Sequence, residues 1–76
     1  MTRLDDLPAG ALARIASITG DAALVQRLME LGVIEGEEIE VLGFAPLGDP
    51  MEVRLADTRL SLRRHEAAGF AVDRIA

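Results

Sequence analysis

Gly20-Asp21-Ala22-Ala23-Leu24-Val25-Gln26-Arg27-Leu28-Met29-Glu30-Leu31-Gly32-Val33-Ile34-Glu35-Gly36 reads as one helix with both ends marked. Leu24, Leu28 and Leu31 recur at i, i+4 and i+7, with Val25 and Met29 beside them, an apolar stripe of helical period. Gln26, Arg27 and Glu30 fall on the other side. Asp21 stands where its carboxylate can accept from free backbone N–H groups and complement the helix dipole. Gly32 occupies the position at which a chain leaving a helix turns left-handed, and Val33 after it can fold back onto Leu28. The spacing predicts a helix over Ala22–Leu31, then a turn at Ile34-Glu35-Gly36.

Outward from that helix the pattern has period two. On the N-terminal side, Leu7-Pro8-Ala9-Gly10 reads as a turn and Ala11–Ile18 as a strand. Ala13 and Ile15 share one face of it, and Leu12, Arg14 and Ala16 the other. On the C-terminal side, Glu37–Phe44 alternates Ile39 and Val41 with Glu38 and Glu40. Ala45-Pro46-Leu47-Gly48-Asp49-Pro50 is a loop, because its prolines lack ladder donors. Met51–Leu55 alternates again, with Met51, Val53 and Leu55 inward. Ala56-Asp57-Thr58 makes a tight connection to a strand in which Leu60 and Leu62 alternate with Arg59, Ser61 and Arg63. Arg64–Ala68 is a helical turn ended by Gly69, and Phe70–Ile75 is a last strand with Phe70 and Val72 on one face. Meander pairing sets Glu40 opposite Arg54 and Glu52 opposite Arg63. An isolated hairpin buries too little, and closure removes exposed edges. The expected fold is mainly β: a small, partly open barrel of about five strands with one inserted α-helix, a single domain over residues 1–76.

Composition narrows the function. The chain has 76 residues, half of them apolar, with two Phe, no Trp or Tyr and no Cys. The core must be aliphatic, and disulfides and thiolate zinc sites are excluded. All 8 basic residues are Arg, against 13 acids, for a net charge of −5. The basic patch and stacking aromatics of a nucleic-acid binder are missing, so no nucleic acid is expected. No stretch approaches the roughly 20 apolar residues of a membrane span. Met1-Thr2-Arg3-Leu4-Asp5-Asp6 lacks the apolar region of a signal peptide, so the expected compartment is the cytoplasm. No Ser or Thr has a base at a recognisable spacing, and the glycines form no phosphate-binding motif. The residues do not describe an enzyme.

Several residues remain as candidates for contact or metal ligation. His65 is the only imidazole. With Glu66 adjacent and Asp49 near in space it would hold a borderline divalent ion weakly. The alternative is an exposed His in a turn, without the i+3 or i+4 ligand partner of a metal site. The acids Glu35, Glu37, Glu38 and Glu40 either attract Fe²⁺ or a basic partner surface, or form a solvated strand face. Arg27 either pairs with Glu30 or a strand acid, or meets a partner. Leu47 is an apolar residue in a Pro/Gly loop bordered by Met51, either an exposed anchor or tucked into the core. Loops held by a rigid barrel are common contact sites. Arg27, Leu47, Asp49 and Met51 form the expected partner-binding set.

Arg27-Leu28 followed by Leu31-Gly32-Val33-Ile34-Glu35-Gly36 resembles the helix-to-turn signature of the FeoA family. Ala45-Pro46-Leu47-Gly48-Asp49-Pro50 resembles that family's central loop, and Leu60 with Leu62-Arg63-Arg64-His65-Glu66-Ala67 its final motif. The likeness runs from about Leu4 to Val72. It implies an SH3-like barrel with an inserted helix, a fold also similar to the C-terminal domain of iron-dependent repressors. It further implies a cytoplasmic component of bacterial ferrous-iron uptake acting on FeoB, a membrane permease whose cytosolic domain is a GTPase. Val33 where Leu or Met is usual, Ala9-Gly10 in place of a more basic turn, and a 56–58 turn without Gly depart from the pattern.

Three functions follow as expectations. The first is a non-enzymatic accessory protein of Fe²⁺ uptake that binds FeoB. The second is a carrier or sensor that binds Fe²⁺ or another divalent transition metal through His65, Glu66 and Asp49. The third is an SH3-type module for Pro-rich peptides, for which Phe44 and Phe70 are too few aromatics to build a groove. The oligomeric state is left open.

Overall fold

The computed structural model describes residues 1–76. The central helix, α1, spans Ala22–Glu30, and the Asp21 carboxylate accepts from the Ala23 N–H at 3.0 Å. At its other end Gly32 has φ 91°. The Gly32 N–H donates to the Met29 carbonyl at 3.0 Å, and the Val33 N–H donates to the Leu28 carbonyl at 2.9 Å. These two bonds are a Schellman ending. They bring Val33 onto Leu28, and both are buried.

Leu31 departs from its expected place in the core, being 49% exposed. It is the C-cap residue, and Leu28 is the only buried residue of α1. The helix therefore meets the core along little more than one turn, from Leu24 to Leu28, and the C-terminal end of its apolar stripe runs past the contact.

The strands are β1 (Thr2–Arg3), β2 (Leu12–Ile18), β3 (Glu38–Phe44), β4 (Met51–Leu55), β5 (Thr58–Leu62) and β6 (Phe70–Arg74). A 3₁₀ turn covers Leu4–Asp6, and a short helix, α2, covers Arg64–Ala67. All strands belong to one antiparallel sheet in the order β1-β6-β2-β3-β4-β5, which does not close on itself. There are six strands rather than about five. The additional one, β1, is only two residues long and sets Thr2 opposite Val72, too short to show alternation in the sequence.

Bulges between Ile15 and Ser17 and between Val41 and Gly43 interrupt the register and curl the sheet. The concave face encloses the core, in which Leu4, Ile15, Ile39, Met51, Val53 and Phe70 are at most 1% exposed. Leu4 and Leu7 join it from the N-terminal segment. Glu40 lies opposite Arg54 as expected, and the two side chains pair. Glu52 does not face Arg63: it lies opposite Ser61 and pairs with Arg59 at 2.8 Å.

Candidate partner-binding site

The Pro/Gly segment between β3 and β4 is a fixed loop. The Ala45 N–H donates to the Pro50 carbonyl at 2.9 Å, and the Gly48 N–H donates to the Ala45 carbonyl at 2.7 Å. Gly48, at φ 86°, supplies the left-handed step that this narrow turn requires. Leu47 stands at its tip, 98% exposed.

Arg64, the first residue of α2, anchors the loop to the rest of the molecule. Its Nη1 donates to the Gly48 carbonyl at 3.2 Å, and its Nη2 donates to the Asp5 carbonyl at 3.0 Å. Its guanidinium lies 5.2 Å from the centroid of the Phe44 ring, a cation–π geometry. Its backbone N–H donates to Asp49 Oδ1 at 3.0 Å. Asp49 thus caps α2 from the loop, satisfying one of the helix's free donors.

The N-terminal end of this arrangement holds the only buried charged residue. Arg3 grips Asp5 with two hydrogen bonds, Nε to Oδ1 at 3.0 Å and Nη2 to Oδ2 at 2.8 Å. Asp5 is 7% exposed. Those hydrogen bonds hold its carboxyl below the usual carboxylate range. Burial pushes the other way, and the charge of Arg3 adds to the lowering.

Arg27 lies 3.8 Å from Glu66, so it links α1 to α2 and pairs with neither Glu30 nor a strand acid. The other Glu66 oxygen accepts from the Arg63 N–H at 2.8 Å. Both Glu66 oxygens therefore have protein partners, as has one of Asp49. His65 is exposed on α2. His65, Glu66 and Asp49 are not brought together as ligands: no group of three His, Asp or Glu is placed to hold a metal ion. Met51 is corrected as a contact residue. It is fully buried, because the β4 alternation turns it into the core beside the loop. Phe70 is also core, and Phe44 carries Arg64, so the two aromatics do not line a peptide groove.

Arg64 is the residue that sequence reading passed over. Its side-chain role depends on the Gly48 and Asp5 carbonyls, which are 16 and 59 residues away in the chain, so no local pattern marks it.

The FeoA domain model matches residues 2–74. An Fe(2+) transport protein A/Fe(2+) transporter FeoB fusion protein of Porphyromonas gingivalis (strain ATCC BAA-308 / W83) is 38% identical over 73 residues. That match takes in 96% of this chain and only 9% of the fusion protein. The solution structure of FeoA from Chlorobium tepidum superimposes with a TM-score of 0.94 at 43% identity, covering 99% of this chain and 71% of that one. The crystal structure of Stenotrophomonas maltophilia FeoA complexed with zinc, an SH3 domain protein, gives 0.82 at 34% identity, covering 96% and 91%. A manganese-dependent transcriptional repressor shares the fold, with a TM-score of 0.88 at 16% identity over 97% of this chain and 36% of its own. No helix is long and apolar enough to cross a membrane. With the domain model matched over nearly its whole length and a 43% identical FeoA superimposing on it, this SH3-like chain belongs to the FeoA family of ferrous iron transport.

Proposed function

We propose that this protein is a non-enzymatic accessory factor of ferrous iron uptake, working in the cytoplasm by binding the cytosolic part of a FeoB-type permease. The fusion in Porphyromonas gingivalis carries the reading: there the two functions share one polypeptide. Tethering raises the effective concentration of one partner at the other, which matters only for parts that meet. To change transport, the protein must bind one state of the permease better than another.

Leu47 is the preferred anchor, an apolar side chain 98% exposed on a loop that Arg64 and Asp49 hold in place. A pre-ordered loop loses little freedom on binding. Titration calorimetry with the purified cytosolic region of the same organism's FeoB tests this. Binding should weaken at least about tenfold, or about 1.4 kcal/mol, in Leu47→Asp, with the melting temperature unchanged. Absence of binding by the wild-type chain rejects the reading.

A second reading, weak binding of a divalent ion at His65, draws support from the zinc held by the Stenotrophomonas maltophilia protein. Glu66 fits an ion poorly, because its two oxygens are held by Arg63 and Arg27, whereas Asp49 keeps one oxygen without a protein partner. Calorimetry with Fe²⁺ and Zn²⁺ decides it: heat lost in His65→Ala supports the site, and no heat with either metal removes it.

A further inference from the structure

One flank of α1, that of Val25 and Met29, is apolar and uncovered. Val25 and Met29 face Ile18 at the end of β2 and Ile34 in the following turn, across a groove of about 490 Å³. The groove continues past Ala22 toward Gly20. Met29 is 55% exposed and Ile34 41%. Its only charged lining residues are Glu30 and Glu35.

Neither of these carboxylates has an ion-pair partner. Arg3, Arg14, Arg27, Arg54 and Arg59 are all paired, with Asp5, Glu38, Glu66, Glu40 and Glu52 respectively. Glu37, next along the turn, is also unpaired and exposed. The acidic strand run thus divides in two. Glu38 and Glu40 are neutralised across the sheet, while Glu35 is left unpaired at the groove and Glu37 unpaired beside it in sequence.

We propose that this groove docks an apolar segment of a partner protein flanked by basic side chains. Apolar side chains of the segment would seat on Val25, Met29 and Ile34, while Arg or Lys at its ends would meet Glu30 and Glu35. Unpaired rim charges of one sign select a partner of the other sign. A second copy of this chain is the wrong occupant, because it would bring two sets of the same carboxylates together on a chain of net charge −5. The groove shares no residue with the Leu47 loop, so the inference stands apart from the FeoB reading.

The test uses the full chain, ¹⁵N-labelled, and two synthetic peptides. Each carries leucines at helical spacing, one between paired arginines and the other between paired glutamates. The arginine-flanked peptide should shift the amides of Ile18, Val25, Met29 and Ile34, and its binding should weaken as salt is raised. Glu30→Arg with Glu35→Arg should reverse the preference, binding the glutamate-flanked peptide about tenfold better than the other. Met29→Asp, at an exposed position, should lose either peptide and keep its melting temperature. Equal affinity for the two peptides, binding of neither, shifts confined to residues 45–50, or self-association through α1 in sedimentation would each overturn the proposal.

Discussion

At Gly69, a single hydrogen atom separates a fold from a clash. A methyl group there would fall inside van der Waals contact with the Thr19 carbonyl oxygen. Thr19 cannot retreat, because its N–H and its hydroxyl both donate to the Gly69 carbonyl, at 2.8 and 3.2 Å. Gly69→Ala should cost about 2–3 kcal/mol in urea unfolding, a large part of the roughly 4–11 kcal/mol available to a chain this size. Ala56 gives the opposite sign. It is the one non-glycine residue with positive φ, 49°, in the two-residue turn between β4 and β5. Ala56→Gly should stabilise by about 0.5 kcal/mol, as removal of left-handed strain outweighs the added freedom of the unfolded chain. The Arg3–Asp5 pair sets a pH response. Because the folded pKa of Asp5 lies below its ordinary value of 3.8, its contribution is present above that value. It is lost as pH falls through the folded pKa. Arg3→Ala should move the acid-unfolding midpoint, followed by circular dichroism, to higher pH. The sequence marked Gly69 as a stop and the 56–58 turn as unusual, but not the approach of Thr19, which is set by a strand far away in the chain.

Among the elements, α1 shows what a local pattern can and cannot tell. Its caps depend on a few neighbouring residues, so Asp21, Gly32 and Val33 were legible before any tertiary contact was known. Its burial depends on where the barrel touches it. Leu28 and Leu31 look equivalent on a helical stripe, yet one is 2% exposed and the other 49%. Leu28→Ala should therefore cost about 2–4 kcal/mol, and Leu31→Ala less than about 0.5 kcal/mol, both read from denaturant midpoints. The same limit governed the charge pairs. Alternation fixed which face each residue takes, so Glu40 against Arg54 was legible. The turn fixed the register: pairing Leu55 with Thr58 sets Met51 opposite Leu62 and Glu52 opposite Ser61. Arg63 is then drawn past the strand end to start α2. Exposed pairs of this kind contribute under about 1 kcal/mol each, so misreading one leaves the fold unchanged. The loop that carries Leu47 and Asp49 was legible because its Pro and Gly residues marked it, while the exposure of Leu47 was not; Met51 lies in the core because the loop ends one residue before it.

Across the whole molecule, the sheet has two free ends, β1 and β5, and Arg64 stands between them. It begins the helix that follows β5 and donates to the Asp5 carbonyl in the turn that follows β1. Arg64→Ala should lower stability by about 1–2 kcal/mol. Arg64→Lys should restore little of this, because one ammonium cannot span two carbonyls and lie flat on Phe44; thermal melts of the two variants check it. Nothing in the sequence set Arg64 apart from the other arginines, since its role depends on the gap left by an unclosed sheet. That gap has a consequence for how the protein breathes. When the guanidinium lets go, the strand array loses its seam on both sides at once. The amide protons of Leu7 and Gly48, bonded to Leu4 and Ala45, should then trade with deuterium at a common rate although they sit far apart along the chain.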